Sequence, residues 1–181
     1  MPREDPPAAL ARLSFHAALA VAELLEHLVP GAEVRLKWPN DALLNGGKAA
    51  GVLLESFGGR PTQLAIGIGV NLASAPPVEG ARWRPTSVAA ETGETPDVDA
   101  ALGVLAERLD HWLRLDALQG FAPVRAAWLA RAARLGQPIE ARLPRATIAG
   151  RFEDVDMDGA LVLGTADGRR RIAAADIFFP D

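Results

Sequence analysis

The spacing of apolar residues changes period three times along this chain, and each change fixes a different kind of element. Up to Leu28 the apolar residues recur at 10, 13, 17, 21, 24 and 28, the spacing of one face of a helix. Asp5-Pro6-Pro7 ahead of that run supplies a capping carboxylate and prolines suited to a first turn, so a helix is expected from Ala8 to Leu28, closed by Pro30-Gly31. The spacing predicts one buried face. From Glu33 the pattern becomes strict alternation, with Val34, Leu36 and Trp38 set against Glu33, Arg35 and Lys37 until Pro39 interrupts it. Further strands are expected at Asp41 to Leu44, Lys48 to Ser56 and Gln63 to Leu72, joined by Asn45-Gly46-Gly47 and by Gly58-Gly59-Arg60-Pro61. Such short connections favour neighbouring antiparallel strands over a doubly wound parallel sheet.

Helical spacing returns after a loop rich in Pro, Gly and Ala. A short helix is expected from Thr86-Ser87-Val88 to Thr92, and a long one behind Thr95-Pro96-Asp97 with Leu102, Leu105, Leu109 and Trp112 or Leu113 inward, to about Gln119. A third, Pro123 to Leu135, carries Trp128 inward and stops at Gly136. Beyond it no helical period remains. Strands at 139–143, 147–154, 160–163 and 170–173, with turns at Asp158-Gly159 and Asp167-Gly168, predict a small barrel. The fold class is therefore α+β: a mixed or antiparallel sheet packed with helices over residues 1–136, then a small β-barrel over 137–181.

Composition narrows the chemistry. The 181 residues suffice for one domain with a small appendage and a sizeable core without staples. With no cysteine, disulfides, thiolate zinc sites, iron–sulfur clusters and cysteine nucleophiles are excluded. His16, His27 and His111 lie too far apart in sequence to suggest a metal site, so none is assigned. A net charge of −4 provides no broad footprint for DNA or anionic lipid. The most apolar early stretch, Ala17 to Ala22, is flanked by Arg12, His16 and Glu23, so neither a membrane span nor a signal core is read there, and a cytoplasmic location is the expectation.

Polar residues concentrate in the apolar centre, as Lys37-Trp38-Pro39-Asn40-Asp41, Lys48-Ala49-Ala50-Gly51 and Gly67-Ile68-Gly69-Val70-Asn71. Pro39 ends a strand and leaves Asn40 and Asp41 at its tip, where ligand-facing groups are commonly presented. A hairpin at Asn45-Gly46-Gly47 can bring Lys37 and Lys48 together as a site for phosphate or carboxylate. Alternation places Gly67, Gly69 and Asn71 on one face, a strip where a flat ligand can lie against backbone, or where another element can pack closely. It is not a dinucleotide fingerprint, because no third glycine follows and no strand-to-helix turn is present. Lys48 and Gly51 are three apart and belong to opposite faces of a regular strand. For both to touch one ligand, either a bulge must interrupt the strand or Lys48 must sit in the turn.

Taken in order, Lys-Trp-Pro-Asn-Asp, Lys-x-x-Gly-x-Leu-x-Glu from Lys48 to Glu55, and Gly-x-Gly-x-Asn from Gly67 to Asn71 resemble the bacterial biotin protein ligases. Pro85-Thr86-Ser87-Val88, two helices and a terminal barrel extend the resemblance from about Pro7 to the end. It implies a ligase core with an SH3-like C-terminal domain that uses ATP and biotin to form biotinyl-adenylate, then transfers biotin to a lysine of the biotin carboxyl carrier protein of acetyl-CoA carboxylase. By the same resemblance Lys48 is the catalytic lysine between biotin carboxylate and α-phosphate. Gly51, Gly67 and Gly69 with Lys48 face biotin; Lys37, Asn40, Asp41 and Asn71 face the nucleotide, Asp41 directly or through Mg²⁺.

The family also carries an arginine- and glycine-rich loop ahead of the first helix seen here, and none precedes Asp5, so Met1 reads as an internal start. Arg169-Arg170-Arg171 reads as a solvated strand face and does not replace that loop. Two alternatives follow: an incomplete fragment that binds nucleotide or carrier domain, and a lipoate ligase-like acyl-adenylating enzyme, against which Trp38-Pro39-Asn40-Asp41 argues. The DNA-binding module of some members is missing as well, which disfavours a repressor, and a homodimer is among the arrangements the resemblance allows.

Overall fold

A computed structural model of the chain describes residues 11–57, 63–76 and 84–180. The expected helix start at Asp5 to Leu10 and the 58–61 loop lie outside the described residues. Helix α1 (Leu13–Leu28) is buried on nearly every side from Ser14 to Ala22, not on one face. The reason is size: Ala17, Ala18, Ala20 and Ala22 present methyl groups, so neighbouring elements approach from several directions at once. Strands β1 (Val34–Lys37), β2 (Asp41–Leu44), β3 (Gly47–Phe57) and β4 (Gln63–Val70) form an antiparallel sheet in that order, as the short connections predict. The hairpin turn between β2 and β3 places Asn45 at φ 47° and Gly46 at φ 81°.

Helices α2 (Val88–Thr92) and α3 (Val98–Gln119) start where expected, because the Ser87 hydroxyl accepts the Ala90 N–H at 3.1 Å and the Asp97 carboxylate accepts that of Ala100 at 2.8 Å. Helix α4 (Phe121–Arg131) begins two residues before the expected Pro123 and ends short of Leu135. Pro123 falls in its first turn, where its missing N–H removes no helical bond. The helix stops because the chain turns extended beside β1: Ala132 bridges Leu36 in parallel, and the Ala133 N–H donates to the Leu36 carbonyl at 2.8 Å. Helix α1 packs on all four strands and against α3 and α4. Within that packing the buried His16 bonds the Arg12 carbonyl through Nδ1 (3.0 Å) and the Asp116 carboxylate of α3 through Nε2 (2.9 Å). No helix among the described residues is long and apolar enough to cross a membrane.

After Gly136 come β5 (Pro138–Leu143), β6 (Ala146–Val155), β7 (Leu161–Thr165), β8 (Gly168–Ile172) and β9 (Asp176–Phe178), an antiparallel sheet in the order β8-β7-β6-β5-β9. β9 was not expected, since three residues at the chain end show no alternation of their own. It forms because β5 leaves an edge that Asp176 to Phe178 pair with. The inward side chains Ile139, Phe152, Leu161, Leu163 and Ile177 join the same buried cluster as Phe15, Trp38 and Trp128, so the two parts share a contiguous core. At their junction the buried Trp38 indole N–H donates to the Gly159 carbonyl at 3.0 Å, and Phe15 lies so near Gly159 that a Cβ there would sit 2.9 Å from its ring. Gly159, at φ +84°, suits that turn on both counts.

Asp156 shapes this turn. Its carboxylate accepts the N–H groups of Asp158 and Ala160, both at 2.9 Å, and pairs with Arg171 of β8. Burial pushes its pKa up, but the Arg171 guanidinium and those two amides together hold it below the usual carboxylate range. A group lowered on folding contributes stability that is present above its unfolded pKa and is lost as pH falls through its folded one. Thermal melts of the wild type and Asp156→Asn are therefore expected to differ near neutrality and to converge as pH falls below the ordinary aspartate range. Parallel curves at all pH values would deny Asp156 that role.

Candidate active site

Four residues align across the four strands of the first sheet: Lys37 pairs with Asp41, Asp41 with Gly51, and Gly51 with Gly69. Paired residues of antiparallel strands share a face, so this row carries ammonium, carboxylate and two bare backbone positions side by side. Lys48 joins them through a break in register. Ala42 pairs with Ala50 while the next residue, Leu43, pairs with Lys48, which leaves Ala49 as an extra residue. The bulge is the device that the three-residue spacing of Lys48 and Gly51 demands.

Asp41 sits between the two lysines. Its Oδ2 lies 3.3 Å from Lys37 Nζ and its Oδ1 2.5 Å from Lys48 Nζ; Asp41 and Lys37 are largely buried, whereas the Lys48 side chain is 43% exposed. A Cβ on Gly51 would lie 3.6 Å from Asp41 Oδ1 and 3.8 Å from Lys48 Nζ, while one on Gly69 would meet nothing within 4 Å. These residues, with Val70, Asn71, Pro76 and Pro85, line a groove of about 530 Å³. Two cations and one anion leave the described lining with a surplus positive charge over an open glycine strip. That is a chemistry for an anionic ligand with a flat, uncharged body.

The remaining predicted residues are placed differently. Gly67 lies on the same strand face as Gly69 but opposite Leu53, farther along the sheet from the two lysines. The Asn71 amide donates to the Thr86 carbonyl at 3.0 Å and the Lys48 carbonyl at 3.4 Å, so it borders the groove while tying together the backbone around it. Asn40 does not line this groove. Its amide donates to the Val52 carbonyl at 2.6 Å, and it borders a separate cavity of about 590 Å³ between the two parts of the chain. Both Asp41 oxygens face ammonium groups, and no cluster of three or more metal-ligating side chains occurs among the described residues. With both oxygens engaged by lysines, Asp41 offers no open position to a cation, and a Mg²⁺ carried on nucleotide phosphates would not require a dedicated cluster of side chains.

Sequence reasoning missed the segment that flanks Lys48. Its N–H donates to the Arg84 carbonyl and its carbonyl accepts the Thr86 N–H, both at 3.0 Å. Thr86 approaches so closely that a Cβ on Gly47 would lie 2.8 Å from its side chain. The buried hydroxyls of Thr86 and Ser87 are the one local signal of this contact, and they read more readily as a helix cap.

An antiparallel sheet that carries paired lysines around a carboxylate, beside a glycine strip, defines the class: residues 2–71 match the biotin/lipoate A/B protein ligase family, and residues 135–179 match the biotin protein ligase C terminal domain. A biotin–acetyl-CoA-carboxylase ligase of Paracoccus denitrificans is 50% identical over 177 residues, covering 94% of this chain and 74% of that protein. The bifunctional ligase/repressor BirA of Bacillus subtilis (strain 168) is 32% identical over 92% of this chain but only 52% of its own length. In fold, the biotin protein ligase from Aquifex aeolicus solved in complex with biotin and ATP superposes with a TM-score of 0.79 at 24% identity, over 93% of this chain and 70% of that one. The chain belongs to the biotin protein ligase family.

Proposed function

We propose that this chain is an ATP-dependent biotin protein ligase. In the first step a biotin carboxylate oxygen attacks the α-phosphorus of ATP, the bond to the β-phosphate breaks, and pyrophosphate leaves. In the second the neutral amine of a carrier-protein lysine attacks the acyl carbon of the mixed anhydride, AMP departs, and the nitrogen gives up a proton. The first step brings two anions together, so a cation between them lowers its barrier and stabilises charge that develops at phosphorus.

The observation that carries this reading is the bulge at Ala49, which turns the Lys48 ammonium over the face that bears Gly51 and Gly69. In this assignment Lys48 bridges carboxylate and α-phosphate. Gly51 and Gly69 take the biotin rings, with Gly67 extending that surface, and Lys37 and Asn71 serve the nucleotide. Asp41 orients both lysines rather than holding a metal. Asn40, bonded to Val52, supports the strand tip from behind. The acceptor is the carrier domain of a biotin-dependent carboxylase, in keeping with the name of the Paracoccus relative.

The test is biotin-dependent release of pyrophosphate from ATP by the purified chain, followed by addition of unmodified carrier domain and mass analysis of its lysine. Stoichiometric pyrophosphate and a biotin-sized mass gain are expected. A folded chain that releases none would overturn the ligase reading, and release with lipoate in place of biotin would move it to the other branch of the family.

A further inference from the structure

Outside the groove, one carboxylate reaches both segments that hold the Lys48 backbone. The strap at residues 84–86 pairs with Lys48 on both sides of its peptide, and it is fixed in turn by Thr86, whose Oγ1 donates to Glu91 Oε1 at 2.6 Å. The other oxygen, Oε2, accepts the Asn45 amide at 2.7 Å. Asn45 sits in the turn that leads into β3, and its own Oδ1 accepts the Glu33 N–H at 3.0 Å. Glu91, on α2, thus joins the hairpin turn just before Lys48 to the strap beside it. It is solvent-exposed and lines neither the groove nor the cavity between the two parts. The hydrogen bonds from Thr86 and then Asn45 hold its pKa below the usual carboxylate range, which keeps it an ionised acceptor for both donors.

We infer that Glu91 is a positioning residue for Lys48, acting through Thr86 and Asn45 to set the backbone that aims the Lys48 ammonium into the groove. The inference rests on the role proposed above for Lys48. It follows from the two-sided grip of a carboxylate, which accepts from both donors at once with its two oxygens. A glutamine can still hold both partners, its oxygen accepting from Asn45 and its amide donating to the Thr86 hydroxyl, whereas Glu91→Met removes both acceptors at similar length. Thr86→Val removes the hydroxyl at nearly constant volume, whereas Thr86→Ser retains it.

The experiment has two readouts on the same proteins: hydrogen exchange of the Lys48 and Thr86 amides, and the steady-state constants for biotin-dependent pyrophosphate release. Glu91→Met and Thr86→Val are expected to speed exchange at those amides about tenfold, with the β6–β7 amides unchanged. They are also expected to lower kcat by about tenfold or more while KM for ATP stays within about twofold, because a displaced ammonium is felt chiefly in the transition state. Thr86→Ser is expected to restore both. Exchange at Lys48 that does not change in either variant overturns the inference, and so does faster exchange spread evenly over both sheets, which marks plain loss of stability. A wild-type chain that releases no pyrophosphate defeats the ligase reading, whereas the exchange data still decide whether Glu91 holds the Lys48 backbone.

Discussion

Lys48→Met is expected to lower kcat/KM for biotin-dependent pyrophosphate release by about 10²–10³-fold, the cost typical of removing one preorganised group that stabilises developing charge. Folding is expected to change little, because the side chain is 43% exposed and Asp41 keeps its contact with Lys37. That asymmetry separates the two lysines. Loss of Lys48 removes the cation that reaches into the open groove, whereas loss of the largely buried Lys37 leaves Asp41 partnered by Lys48 alone and pulls on the ammonium that is meant to meet ligand. Kinetics with the melting temperature as a control check the point. A Lys48→Met chain that retains adenylate formation within about threefold of wild type would remove the lysine from the transition state.

Gly69→Val is expected to act in the opposite domain of the thermodynamics, on binding. Nothing lies within 4 Å of a Cβ at this position, and β-branched residues suit an edge strand, so stability is expected to hold within about 1 kcal/mol. The same two methyl groups occupy the strip on which the flat part of the ligand is proposed to rest. Biotin affinity measured by calorimetry is expected to fall at least about tenfold. Unchanged biotin affinity would return the glycine face to a plain packing role, the other use a bare strand face has.

The antiparallel order of the first sheet was legible because Asn45-Gly46 and the alternation around it leave few other ways to connect short strands. The groove was legible in part for the same reason. Lys37 and Lys48 flank the turn, and their meeting at Asp41 follows from pairing. Two things escaped. Helix α1 offers one apolar stripe in its larger residues, yet burial depends on how close neighbours come, and the alanines between the large residues decide that. Asn40 sits one residue from Asp41 and shares its motif, but its amide finds the Val52 carbonyl and leaves the groove. Spacing along the chain does not reveal which of two adjacent polar side chains points to ligand and which is absorbed by backbone. The end of α4 likewise depends on β1 lying alongside, a partner about a hundred residues away in the chain.

Ala49 has a methyl group for a side chain, and a scan of substitutions there would find a small buried residue of no chemical interest. Beyond its place in the core and its carbonyl's bond to the Asn71 N–H, its contribution to the site is a count. With Ala49 present the strand carries one residue more than its partner, and Lys48 and Gly51 look the same way. With all of these residues paired in a regular ladder and no bulge, one of the two would point to the far side, with every functional side chain still in the sequence. What matters at this position is the number of residues between two fixed points, a property that side-chain chemistry alone does not register.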